Sequence, residues 1–283
     1  MSESRPTITY SASTSQSSGT TIRSVFSGFK EGYSLGRQLA SRDIRAQYRQ
    51  SFLGLIWAVV TPIAQTLVWI FLSNRGVLNI GDTGVPYAVY LLTGIMLWQT
   101  FLEALNAPLA MFKSSQSILR KININKESLI IAGFLKVLFG FAIKMVVLIP
   151  MLFYFAIDPG INVLLFPLAV LVILLTGFAI GIWITPIGAL YTDVQRFIAS
   201  ASQLFFFLTP IIYPARTEGV FGLLDTYNPA AISIGTARDL LIGQPVGSIE
   251  IYVVFCLIAF ILLFSGLVLY KVSLPIIVER MGS

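Results

Sequence analysis

Residues 128–186 read SLIIAGFLKVLFGFAIKMVVLIPMLFYFAIDPGINVLLFPLAVLVILLTGFAIGIWITP. From Ser128 to Pro186 the chain is apolar almost throughout, broken only by Asp158-Pro159-Gly160 and by two lysines, Lys136 and Lys144. A helix fits on each side of that turn. Each is long enough to cross a hydrocarbon layer of about 30 Å, which takes roughly 20 residues at about 1.5 Å of rise. A water-soluble protein of 283 residues has no reason to carry such apolar length. The chain is therefore expected to be an all-α polytopic membrane protein, because helices satisfy their own backbone in lipid.

Composition agrees. Hydrophobic residues make up 56% of the chain and charged residues 11%, against about 25% charged in ordinary soluble domains. The net charge of +6 is better explained by topology than by nucleic acid. The chain has no histidine, which excludes histidine triads, histidine metal sites and histidine proton shuttles, so neither a catalytic residue nor a metal site is expected. Its single cysteine, Cys256, lies in an apolar run and reads as a small core residue. Met1 to Thr21 is rich in Ser and Thr with no apolar core run. It reads as a disordered cytoplasmic tail and not as a signal peptide.

Six spans are expected: Leu55–Ser73, Tyr87–Phe112, Leu129–Ile157, Val163–Thr185, Phe197–Tyr213 and Glu250–Tyr270. The basic residues outside them alternate between the two sides. Fourteen fall on one side, among them Arg37, Arg42, Arg45 and Arg49 before the first span and Lys113, Arg120, Lys121 and Lys126 between the second and third. Three fall on the other: Arg75, Arg216 and Arg238. The positive-inside rule then leaves both termini in the cytoplasm, as an even count requires.

The expected organisation is a tail over 1–21, an amphipathic interface helix over 22–50, a six-span domain over 51–272 and a cytoplasmic C-terminal tail over 273–283. In the interface segment Phe26, Phe29, Tyr33, Leu39 and Tyr48 mix with basic residues at helical spacing. That pattern suits a helix lying among anionic headgroups, and equally one packed on a cytoplasmic partner. Residues 214–248 are too long for a turn and too apolar for a free loop; they read as two short re-entrant helices or as a surface cap.

No phosphate-binding glycine loop is present, and no cytoplasmic segment is long enough for an ATPase domain. Any ATP-driven step needs another chain. The short basic segment 113–127 is a candidate for docking to such a chain, or a plain connector. Lys136 and Lys144, eight residues apart, stand about 80° apart around a helix, a face turned to protein or lumen. Glu103 is the acid expected near mid-membrane, and a pair with one of these lysines is attractive. Trp57, Trp69, Trp98 and Trp183 read as interface anchors. Phe205, Phe206 and Phe207 cannot all face one way, so at least one is expected to face the interior, where aromatic faces offer sugar rings an apolar platform.

Two blocks carry a family likeness: Arg42–Pro62, RDIRAQYRQSFLGLIWAVVTP, and Phe205–Pro214, FFFLTPIIYP, with Asn228-Pro229 soon after. The chain resembles the membrane (permease) subunits of bacterial polysaccharide ABC exporters of the O-antigen/lipopolysaccharide type, over about Phe29 to Tyr270. The resemblance implies a type-2 exporter fold, working as a homodimer in the inner membrane with two copies of a separate ATPase. That ATPase would hold the ATP and Mg, leaving this chain without a cofactor. The load implied is an undecaprenyl-pyrophosphate-linked glycan. Tyr48, Trp57, Phe206 and Tyr213 match ring-contacting or gate positions. Arg42, Arg45 and Arg49 sit where a lipid pyrophosphate would arrive, fork-like donors suited to such an anion or to ordinary phospholipid. Ser115, Ile118, Arg120, Lys121 and Asn123 fall on the implied coupling segment.

Other loads keep the architecture: teichoic acid, capsule, or a drug or lipid. A proton- or sodium-driven carrier predicts paired mid-membrane acids and an internal repeat, and a membrane enzyme predicts clustered Asp, Glu or His; the sequence offers neither pattern.

Overall fold

The computed structural model describes residues 18–49, 54–77, 80–119, 124–216 and 218–280. Among these every regular element is helical. In order they are α1 (Ser18–Arg49), α2 (Trp57–Asn74, entered through one 3-10 turn, Gly54–Ile56), α3 (Tyr87–Ser114), α4 (Gln116–Leu119), α5 (Glu127–Tyr154), α6 (Phe166–Leu190, after the 3-10 turn Ile161–Leu165), α7 (Asp193–Leu208), α8 (Gly219–Tyr227), α9 (Pro229–Ile242) and α10 (Ile249–Arg280). α1 begins at Ser18, earlier than the Ile22 expected for the N-terminal amphipathic helix.

Among the described residues, five helices are long and apolar enough to cross a bilayer: Gly54–Asn74, Tyr87–Ser114, Glu127–Tyr154, Ile161–Leu190 and Ile249–Val278. The expected fifth span, Phe197–Tyr213, is not one continuous helix. α7 has 16 residues and stops at Leu208, about 24 Å at 1.5 Å per residue. Pro210 contributes no amide hydrogen, and Thr209 at the helix end takes extended backbone angles, so the helical ladder cannot continue past it.

α3 is the hub. Every residue from Val89 to Trp98 is buried. In lipid there is little hydrophobic drive between helices, so association depends on close approach through small residues. α6 reaches α3 this way. A methyl group at Gly181 would collide with the Leu105 carbonyl, and one at Gly177 would lie 2.9 Å from the Phe101 carbonyl and 2.6 Å from the Ala104 side chain. α1 packs on α5 through Gly28, Gly32 and Gly36, spaced one turn apart; a methyl at Gly36 would stand 2.9 Å from the Ser128 carbonyl. α10 lies on α6, where Trp183 Nε1 donates to the Leu262 carbonyl at 2.9 Å. Trp183 thus ties two helices together as well as standing near a span end.

Polar links gather at the two ends of this bundle. At the α1 end, Ser114 Oγ donates to Asp43 at 3.3 Å, Asn125 Nδ2 to the Gly28 carbonyl at 3.0 Å, and Lys113 Nζ to Gln195 at 2.9 Å. Lys271 there pairs with the buried Glu127 at 2.8 Å. At the opposite end lie the α2–α3 loop, the α5–α6 turn, the unwound residues 209–216 and the short helices α8 and α9. Asn228 caps α9 by accepting from the Ala230 amide at 2.9 Å, with Pro229 in the first turn, where its missing N–H costs nothing. Gly243 ends α9 at φ 74°, and a side chain there would strike the Asp158 carbonyl. Gln244 Nε2 then donates to the Thr83 carbonyl at 2.9 Å, joining α9 to the α2–α3 loop.

α7 therefore starts beside Lys113 at the end of α3, and the unwound segment reaches Tyr87 and Tyr90 at its beginning. Residues 193–213 run the whole length of a membrane-spanning helix, partly without being one.

Candidate translocation groove and its flanking sites

Backbone that leaves the helical ladder at membrane depth must find donors elsewhere. After α7 the side chains supply them. Tyr213 Oη donates to the Phe207 carbonyl at 2.8 Å and Asn228 Nδ2 to Leu208 at 3.4 Å. Arg238 donates to Pro210 at 2.9 Å, Tyr87 to Ile212 at 3.1 Å, and Tyr90 to Tyr213 at 2.9 Å. Arg238 is 3% exposed, and its guanidinium lies 3.7 Å from the centre of the Tyr90 ring. One cation on α9 thus clamps the break to α3.

Below the break a groove of about 660 Å³ opens between α2, α3 and α7. Its aromatic floor is continuous: Phe206 lies 6.4 Å from Trp69 and 6.0 Å from Trp98, ring centre to ring centre, and Trp69 meets Phe207 edge-on at 6.2 Å. Its polar lining is uncharged, made of carboxamides and the Ser202 hydroxyl. Gln99 Nε2 donates to Gln65 Oε1 at 3.2 Å across the α2–α3 seam, and Gln203 faces them from α7. Trp98 is 5% exposed and stacks on Phe101 at 5.7 Å, so it belongs to the core and is not an interface anchor.

A second cavity, of about 440 Å³, lies between the end of α1, the start of α2, and α3 and α5. Tyr48, Trp57 and Lys136 line it, with Glu103 and Lys144. The pair the sequence pointed to is present: Lys144 Nζ sits 2.8 Å from Glu103 Oε1 and 3.2 Å from Thr100 Oγ1. Burial, and secondarily the Glu103 carboxylate, push the Tyr48 phenol above its ordinary pKa. Asn106 lines this cavity and the aromatic groove alike, so the two meet at that residue.

The arginines form a third feature. Arg37, Arg42, Arg45 and Arg49 open one face of α1 onto a groove of about 800 Å³, with Arg42 paired to Asp43 at 2.8 Å. The structure does not gather the four residues matched to the substrate path in one place. Tyr48 and Trp57 share the α1 cavity and Phe206 stands in the aromatic groove. Tyr213 lies at the far end, under the Arg216 guanidinium at 4.8 Å. Of the coupling residues, Ser115 is fully buried in the turn after α3, where its carbonyl accepts from Ile118 and Leu119 at 3.0 and 2.9 Å. Ile118 is half-buried on α4. Arg120, Lys121 and Asn123 lie outside the described residues.

Gln65, Gln99 and Gln203 escaped the sequence reading, which searched the spans for charges. Their signal was there: a carboxamide is also costly in hydrocarbon and needs a reason to sit in a span. Trp69 and Trp98, which read from sequence as interface anchors, stand at the groove instead.

A hub of apolar helices long enough to cross a bilayer, a segment beside it that stops being helical, and an amide-lined aromatic groove between them fit a multi-pass membrane transport subunit. The family model described as ABC-2 type transporter matches residues 35–242, and the chain belongs to that family. It is similar to two proteins of Klebsiella pneumoniae named O-antigen export system permease protein RfbA. One is 25% identical over 84% of this chain and 88% of its own length, the other 24% identical over 82% and 89%. A protein of the same name from Myxococcus xanthus is 25% identical over 68% of this chain and 74% of its own.

Proposed function

We propose that this chain is the channel-forming membrane subunit of an ATP-driven exporter that moves undecaprenyl-linked O-antigen polysaccharide across the bacterial inner membrane. The observation that carries the reading is the aromatic and amide groove between α2, α3 and α7. Aromatic faces and neutral hydrogen-bonding groups hold sugar units weakly and repeatedly, which a moving polymer needs and a tight single site would prevent. Two copies of the chain pair their grooves into one lumen. Residues 193–213 make the sixth crossing, so both termini lie in the cytoplasm and α8 and α9 dip back from the periplasmic face.

The lipid pyrophosphate arrives at Arg42, Arg45 and Arg49 on α1, whose bidentate donors match phosphate oxygens. Tyr48 and Trp57 line its way towards Asn106, and Phe206 takes the sugar rings beyond. Tyr213 stands at the exit. The segment that follows α3, with Ser115, Ile118, Arg120, Lys121 and Asn123, meets a separate ATPase, two copies per dimer. ATP and Mg are bound there and not in this chain. Closure of the ATPases rocks the helices and advances the glycan; no covalent step falls to this subunit.

The test is to isolate the chain as a complex with its ATPase and measure ATP hydrolysis. Polyprenyl-diphosphate-linked glycan is expected to stimulate it, and Phe206→Ala to reduce that stimulation about tenfold, the loss of one well-packed aromatic contact. A rate indifferent to the glycan rejects the reading. Orientation is checked separately by cysteines at Asp193 and Ala215, which are expected to react with impermeant reagents from opposite sides. Labelling of both from one side removes the sixth crossing.

A further inference from the structure

We infer that the groove selects a glycan without fixed charge, and so passes neutral sugar units and not the phosphate- or carboxylate-bearing repeats of polyanionic polymers. This rests on the exporter reading above and narrows its load. The polar groups that line the groove among the described residues are carboxamides and one hydroxyl. Each carboxamide carries two donor hydrogens and two acceptor lone pairs. The Gln99–Gln65 bond at 3.2 Å uses one donor and one acceptor, leaving both kinds free on each side of the seam. A sugar hydroxyl also donates and accepts, so the match is made in either sense along a repeating chain.

An anion fares differently in the same place. A carboxylate or phosphate only accepts, and shedding its water between Trp69, Trp98 and Phe206 demands a cation in return. Lys113 is the cation bonded to a lining residue, Gln195, at 2.9 Å, and it stands at the α1 mouth. The other basic groups near the path also lie outside this groove: the α1 arginines below, Lys136 and the Glu103-paired Lys144 in the adjoining α1 cavity, and Arg216 over Tyr213 above. The lipid diphosphate therefore meets charge at the loading end, whereas the repeats that follow meet amides and rings. A second copy facing the first doubles this lining without adding a charge to it.

The inference is tested with the chain in complex with its ATPase, reconstituted in liposomes. The probes are two polyprenyl-diphosphate-linked glycans of equal length, one of neutral hexoses and one with a uronic acid in every repeat. Export of the neutral glycan is expected to exceed that of the acidic one by about tenfold or more, the order set by burying an unpaired charge. Gln203→Lys and Gln65→Lys, both at exposed positions of the groove wall, are expected to narrow the ratio to about threefold by raising export of the acidic glycan. Equal export of the two by the native complex overturns the inference and leaves the exporter reading standing. A native preference that neither lysine alters also overturns it, since discrimination then lies outside the groove. Export of neither glycan overturns both.

Discussion

α6 and residues 193–213 run along the same helix, α3, and do so in opposite ways. α6 is an unbroken apolar helix whose backbone bonds are its own. It touches α3 through Gly177 and Gly181, so closely that the Leu105 carbonyl fills the space a side chain would need. Residues 193–213 carry Gln195, Ser202 and Gln203 on one face and stop being helical at Leu208. The carbonyls at the break, from Phe207 to Tyr213, are held by five side chains drawn from α3, α9 with its Asn228 cap, and the segment itself. The first is a wall, set by steric fit with nothing left to exchange. The second is a lining, set by discrete hydrogen bonds that can be given up and remade. Transport needs both: a rigid side to push against and a side that can yield as the load passes.

The largest effect is expected on the wall. Gly181→Leu places a branched side chain against backbone that cannot move without displacing α3, a clash of about 3 kcal/mol. The variant should fail to give a monodisperse membrane protein in detergent. Recovery of well-folded Gly181→Leu protein shows that α6 and α3 are not held this closely.

On the lining, Arg238→Met keeps bulk but removes the bond to the Pro210 carbonyl and the contact with Tyr90. The cost expected is about 2 kcal/mol, seen as a lower melting temperature of a protein that still assembles. Glycan-stimulated ATP hydrolysis should fall more than the melting temperature suggests, because the break loses its fixed geometry. If folding and coupling fall in proportion, Arg238 is a fold residue like Gly181 and the contrast between the two regions collapses.

The same contrast explains what could be read in advance. α3, α5, α6 and α10 announce themselves by long apolar runs, because a bilayer imposes a length on any helix that crosses it. Residues 197–213, expected as the fifth span, are apolar too but do not keep the ladder. Pro210 lies close to their end, and from sequence alone nothing distinguishes a proline kink from a helix that stops. What decides the matter is Arg238, Tyr90 and Tyr87, up to 125 positions away in the chain, whose donors make the stop tolerable. The residues of the candidate site stand out in the sequence in the same partial way. The arginines of α1 and Phe206 declare themselves by type, and the Glu103–Lys144 pair by rarity. The amides of the groove do not, since Gln65, Gln99 and Gln203 come from three separate helices and become one surface only when α2, α3 and α7 pack. The glycine spacing of Gly28, Gly32 and Gly36 suits a helix-packing stripe, but only the structure shows that α5 is what packs on it.

The smallest effect concerns Asp239, beside the clamp on α9. Burial pushes its carboxyl up to about 6, against the lowering influence of Arg238. The folded protein thus holds a proton there that the unfolded chain has released, between pH of about 4 and 6. Stability must fall as pH rises through that window and level off above it. Asp239→Asn keeps the shape and removes the ionisation, so its melting temperature should match the native protein near pH 4 and exceed it at pH 7. The gain is modest, because Asp239 is only half-buried and part of its charge is answered by water and Arg238. An Asp239→Asn difference that is the same at both pH values means the side chain acts by shape alone. The residues around the break would then be steric, as those of α6 are, and the lining would differ from the wall only in its outline.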